Sequence, residues 1–160
     1  MVEDARFEDG GERPLYLRAL DTEDLTVLSA LCQDAVVPMG EISYDATQRR
    51  FALLVNRFRW EDVAFAEERR RPVERVQAVL VFDDVMTAKS MGFTAGDKDT
   101  VISILAMTFT PSTDGAGRVE ITLAGDGAIA LDVEALDVTL KDVTRPYVAP
   151  SRKAPSHDDL

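Results

Sequence analysis

The residues best equipped for chemistry lie between positions 56 and 71: Asn56-Arg57-Phe58-Arg59-Trp60-Glu61, and then Glu67-Glu68-Arg69-Arg70-Arg71. If an extended strand persists through the first group, Arg57 and Arg59 share one face and Asn56, Phe58 and Trp60 share the other. Two guanidinium groups about 7 Å apart along a strand could clamp a carboxylate or a phosphate. Trp60 adds a broad apolar plate with an N–H donor, a combination favoured at interfaces. On this reading Asn56, Arg57, Arg59, Trp60, Arg69, Arg70 and Arg71 form a partner-binding surface for something anionic. The competing reading puts Phe58 and Trp60 in the core and pairs the arginines with Glu61, Glu67, Glu68 and Glu74.

Other reactive side chains are sparse. The one cysteine, Cys32, falls within a helical pattern and reads as a small buried hydrophobe rather than a nucleophile. His157 is the sole histidine, and it stands in a proline-rich terminal segment where no fixed partner is expected. A Ser-His-Asp or Cys-His arrangement therefore has no basis, there is no G-x-S-x-G elbow, and one cysteine with one histidine cannot build a zinc site. Asp83-Asp84 are neighbours in a strand-like run and would face opposite sides, so they read as a turn or bulge rather than a proton-sharing or cation-binding pair. Asp97 and Asp99 read as a solvated loop. Gly125-Asp126-Gly127 lacks the third glycine and following helix of a dinucleotide motif and reads as a hairpin turn. No cofactor, catalytic residue or metal ligand is expected.

The elements that must position these residues alternate at two periods. Asp21 stands at an N-cap, with Glu23 and Asp24 in the first turn, and Leu25, Leu28, Cys32 and Ala35 form an apolar stripe. One helix of about 14 residues is expected near 22–35. Most of the rest alternates as strands: 14–20, 42–44, 49–60, 76–82, 85–90, 101–109, 119–123, 129–133 and 136–141. Residues 61–72 could be helical or irregular, and residues 101–110 could be helical instead of extended. Short polar turns between strands imply antiparallel meanders. The fold expected is α+β, a mostly antiparallel curved β-sheet or incomplete barrel of about eight or nine strands with one helix over an opening.

The chain has 160 residues, 46% hydrophobic and 29% charged, which suits one domain able to bury a core without disulfides or metals. Residues 1–13 read as a flexible leader, 14–143 as the globular domain and 144–160 as a flexible tail. No apolar run reaches the roughly 18–20 residues of a membrane span, and the acidic start does not resemble a signal peptide, so a cytoplasmic setting is expected. The formal net charge is −11, yet the stretch 49–75 holds eight arginines against five acids. The acidic remainder argues against nucleic acid, including RNA contact through the arginine run and Trp60.

Three strings carry a resemblance: Gln33-Asp34-Ala35-Val36-Val37, the run Leu53-Leu54-Val55-Asn56-Arg57-Phe58-Arg59-Trp60-Glu61, and Gly125-Asp126-Gly127-Ala128-Ile129 ahead of Asp132-Val133-Glu134. The sequence resembles, over about residues 15–143, a family of small bacterial proteins known as a domain of unknown function. The resemblance implies a bacterial, cytoplasmic setting and no specific chemistry. The function expected from all of this is a non-catalytic binding or interaction domain for an unknown protein or small anionic ligand. The alternative is a small enzyme or carrier for an acidic metabolite, using a pocket in the curved sheet. An open edge strand would also permit a homodimer.

Overall fold

A computed structural model describes residues 14–68, 72–92 and 98–148. Strand β1 (Tyr16–Ala19) leads into helix α1 (Thr22–Leu31). Asp21 caps that helix, its Oδ1 accepting the N–H of Asp24 at 2.8 Å, and Glu23 and Asp24 place negative charge at the positive end of the helix dipole. Leu25 and Leu28 point into the core, followed by Cys32 at the C-cap. The helix is shorter than its apolar stripe suggests. Asp34 turns into the left-handed region (φ 64°) and gives its N–H to Ile104 O, and Ala35 O accepts the Ile104 N–H, so the chain has left the helix before Ala35.

The sheet is antiparallel throughout. Its strands are β2 (Val36–Pro38), β3 (Ile42–Asp45), β4 (Arg50–Phe58), β5 (Glu74–Phe82), β6 (Val85–Met91), β7 (Val101–Pro111), β8 (Gly117–Leu123), β9 (Ala128–Val133), β10 (Val138–Asp142) and β11 (Tyr147–Val148). The lateral order is β1-β10-β5-β4-β2-β7-β8-β9-β6, with β3 also on β4 and β11 also on β5. Residues 60–62 form a 3-10 turn and Val63–Glu68 a short helix, α2. The architecture is therefore the expected curved, unclosed antiparallel sheet with one long helix. The strand number rises to eleven because β2 and β11 are two- or three-residue pairings too short to show a period.

Two features bend the sheet. β5 runs into β6 with only Asp83 and Asp84 between them, and Asp84 takes a positive φ of 59°. The Asp83-Asp84 pair is thus a corner. Val85 gives its N–H to Arg49 O, Glu134 gives its N–H to Asp84 O, and Arg50 pairs with Asp83 at 2.8 Å. β2 meanwhile pairs with both β4 and β7 and stitches the two halves together. Residues 101–110 are strand: Ile102 and Ile104 face inward, and a register shift between Ile104 and Ala106 leaves Leu105 exposed. The interior is packed with Leu, Ile, Val, Phe and Met side chains from α1 and nearly every strand.

The expected tail begins with structure, since Tyr147↔Arg75 and Val148↔Glu74 pair β11 to β5. The leader at 1–13, His157, Asp97 and Arg69, Arg70 and Arg71 lie outside the described residues.

Candidate buried ion network and its outer face

Phe51, Leu53 and Val55 of β4 point into the core, and the next residue in that phase is Arg57, which is 0% exposed. A guanidinium survives there because every one of its five N–H groups has an acceptor. Nε and Nη2 bond the two oxygens of Asp142 at 3.1 and 2.9 Å, Nη1 and Nη2 bond the two oxygens of Glu61 at 2.9 Å each, and Nη1 also bonds Phe58 O at 3.1 Å. Asp142 ends β10, two strands away. Ala78, the register partner of both Asp142 and Val55, puts a small side chain on the intervening strand and leaves room for the pair. Asp142 also accepts the N–H of Leu15 at 2.9 Å, tying β1 to the same group.

Arg59 is not in the strand. The chain leaves β geometry at this residue (φ −86°, ψ 72°) and enters the 3-10 turn, so the alternation that would pair Arg57 and Arg59 on one face stops at Phe58. Arg59 is nevertheless 1% exposed, with Nη1 bonded to Asp62 at 3.2 Å and to Glu74 at 2.6 Å and Nε 3.8 Å from Glu61. Two of the sequence-expected ion partners, Glu61 and Glu74, are present. Asp62 and Asp142 join them, while Glu67 and Glu68 lie exposed. Burial pushes the Glu61 carboxyl up, but hydrogen bonds and charge from Arg57 outweigh it and hold it below the ordinary carboxylate range. Arg57 is held charged by the same two carboxylates against the opposing effect of burial.

Trp60 is half-buried. Its indole N–H donates to Gln33 O at 2.8 Å, anchoring the 3-10 turn to the segment after α1, and its ring lies 5.6 Å from Phe58. Cys32 sits in the core near Arg57, where burial pushes its thiol up to about 12, far from the thiolate a nucleophile needs.

The other side of β4 and β5 carries different groups. Phe58, Arg75 and Tyr147 occupy one register row across β4, β5 and β11. The Arg75 guanidinium lies 4.3 Å from the centre of the Phe58 ring, and Asn56 donates from Nδ2 to the Tyr147 hydroxyl. Sequence reasoning found Asn56 but missed Arg75, Tyr147, Asp142 and Gln33. Asp142 had a legible signal: a carboxylate in the inward phase of Val138 and Leu140.

Several recesses open on the surface among the described residues. One of about 170 Å³ lies between Met39, Ile42, Phe51 and the facing Ala88, Lys89, Ser90 and Ile129, with Lys89 its one charge. Another of about 590 Å³ is lined by Pro14, Glu74, Thr144, Arg145 and Pro146. Among the described residues no three His, Cys, Asp or Glu side chains stand together as a metal site, and no helix is long and apolar enough to cross a membrane.

These features define a class: a strand-rich domain with a helix-covered core and a conspicuous internal ion network. A family model described as "Protein of unknown function (DUF2948)" matches residues 15–157, and the chain belongs to that family. No curated protein and no solved structure matches it.

Proposed function

We propose that the chain is a non-catalytic binding domain for a partner bearing negative charge, acting in a bacterial cytoplasm. One observation carries this reading. The groups with the most chemical potential, Arg57, Arg59 and the carboxylates around them, are committed to one another, both guanidinium groups are buried, and all five N–H donors of Arg57 are occupied. An external anion would have to displace two carboxylates to reach Arg57. That cost moves recognition away from Arg57 and Arg59 and onto the outer surface, where Asn56 and Trp60 remain partly exposed.

The test is affinity capture from native cell extract with the full chain as bait, eluates being read for both proteins and small molecules. Saturable recovery of a defined protein or anionic ligand, chemically unchanged by incubation with the domain, supports the reading. Turnover of a recovered metabolite overturns it. Recovery of the chain itself would indicate pairing of two copies along an open edge such as β6.

A further inference from the structure

Eight arginines fall among the described residues. Arg18, Arg49, Arg50, Arg57, Arg59 and Arg118 each face a carboxylate, whereas Arg75 and Arg145 have no carboxylate partner among the described residues. The two exceptions differ. Arg145 is an exposed loop residue whose charge water can solvate. Arg75 is half-buried in the middle of a strand row, stacked on Phe58, with its Nε sealed from water and without an acceptor. In a chain of net charge −11 an unpaired, partly desolvated guanidinium is costly to keep.

Its neighbours suit recognition. The Phe58 ring, itself braced by Trp60, fixes the guanidinium plane. Tyr147 is its register partner on β11, and the Tyr147 hydroxyl already accepts a hydrogen bond from Asn56 Nδ2, which leaves its own proton free to donate. A planar cation and a neutral O–H donor thus occupy one face of the sheet, opposite the face that holds Arg57. Resting on the binding-domain reading above, we propose that Arg75, with Tyr147 beside it, is an oxyanion subsite that takes a single, isolated carboxylate side chain of a partner protein. The strongly negative remainder of the chain repels polyanions at long range, so one isolated carboxylate fits better than a nucleic acid or polyphosphate.

The experiment follows the Arg75 Nε–Hε resonance of the full chain by NMR during titration with sodium acetate, with sodium phosphate and with sodium chloride at matched ionic strength. The expected result is a saturable shift with acetate, confined to Arg75 and its row and leaving the Arg57 and Arg59 resonances in place. Tyr147→Phe keeps the ring and should weaken acetate binding by about tenfold, the equivalent of one hydrogen bond to a charged group. Arg75→Gln should abolish the saturable shift of the Tyr147 resonances. Equal response to chloride, a stronger response to phosphate than to acetate, or unchanged acetate binding in Tyr147→Phe would overturn the proposal. Because Tyr147→Phe retains the packing, loss of fold in Arg75→Gln does not stop the test. If a captured protein partner binds Arg75→Gln as well as the unaltered chain, the subsite falls while the binding-domain reading stands. If acetate binds as expected but a recovered metabolite is turned over, the carboxylate subsite stands while the non-catalytic reading falls.

Discussion

Arg57 Nη2 and Asp142 Oδ2 lie 2.9 Å apart with side chains 0% and 2% exposed, joining residues 85 positions apart in sequence across three adjacent strands. The contact links β4, β5 and β10, and through Leu15 it reaches β1. A buried pair of this kind is poor at raising net stability against apolar alternatives, but removing one partner leaves the other charged and unsolvated.

Asp142→Asn should therefore destabilise the fold by about 3–5 kcal/mol. Urea unfolding followed by circular dichroism would show a lowered midpoint with an unchanged slope. Arg57→Ala with Arg59→Ala should be worse, since four carboxylates lose their cations, and the double variant is expected not to fold.

Acid should loosen the same network. The Glu61 carboxyl is held below its ordinary value in the folded state, so the unfolded chain binds its proton more readily. The stabilisation it provides is complete above the unfolded pKa of about 4.3 and is lost as pH falls through that value and below. Melting temperatures measured from pH 7 to pH 3 should decline on the acid side, and Glu61→Gln should lower the neutral plateau and flatten the decline.

Cys32 should be silent in the native protein. With its thiol fully buried and pushed up to about 12, it should fail to react with Ellman's reagent at pH 8 and react quantitatively once urea unfolds the chain. Native-state labelling at the unfolded rate would contradict the placement of α1 over the core.

Gly117 opens β8 directly against the end of β7. A Cβ there would stand 2.6 Å from Phe109 Cζ and closer still to the Thr110 carbonyl oxygen, so backbone must move to admit it. Gly117→Ala should cost about 1–3 kcal/mol, read as a lowered midpoint in urea unfolding.

Much of the fold was legible because its signals are local. The Asp21 cap, the alternation in β4, β5 and β8 to β10, and the Gly125-Asp126-Gly127 turn each rest on a few consecutive residues. The end of α1 was not, because Asp34 is drawn out of the helix by Ile104, a partner about seventy residues away. The site failed for the same reason in sharper form. Arg57 and Asp142 each continue an inward apolar row, and that phase alone marks both as buried; which charge meets which depends on the β10-β5-β4 order, which spacing does not reveal. Carrying the β4 alternation beyond Phe58 put Arg59 on the strand, when the chain turns away there to bring Trp60 to Gln33.

The corner at Asp83-Asp84 has a bearing on how such a domain can be divided. Strand β5 pairs near one end of the lateral order and β6 forms its far limit, yet only two residues separate them. A cut at this corner therefore does not yield two self-sufficient modules. A fragment ending at the corner would lack β6 to β11, and one beginning there would lack α1 and β1 to β5, so each would leave bare the apolar faces that the other covers.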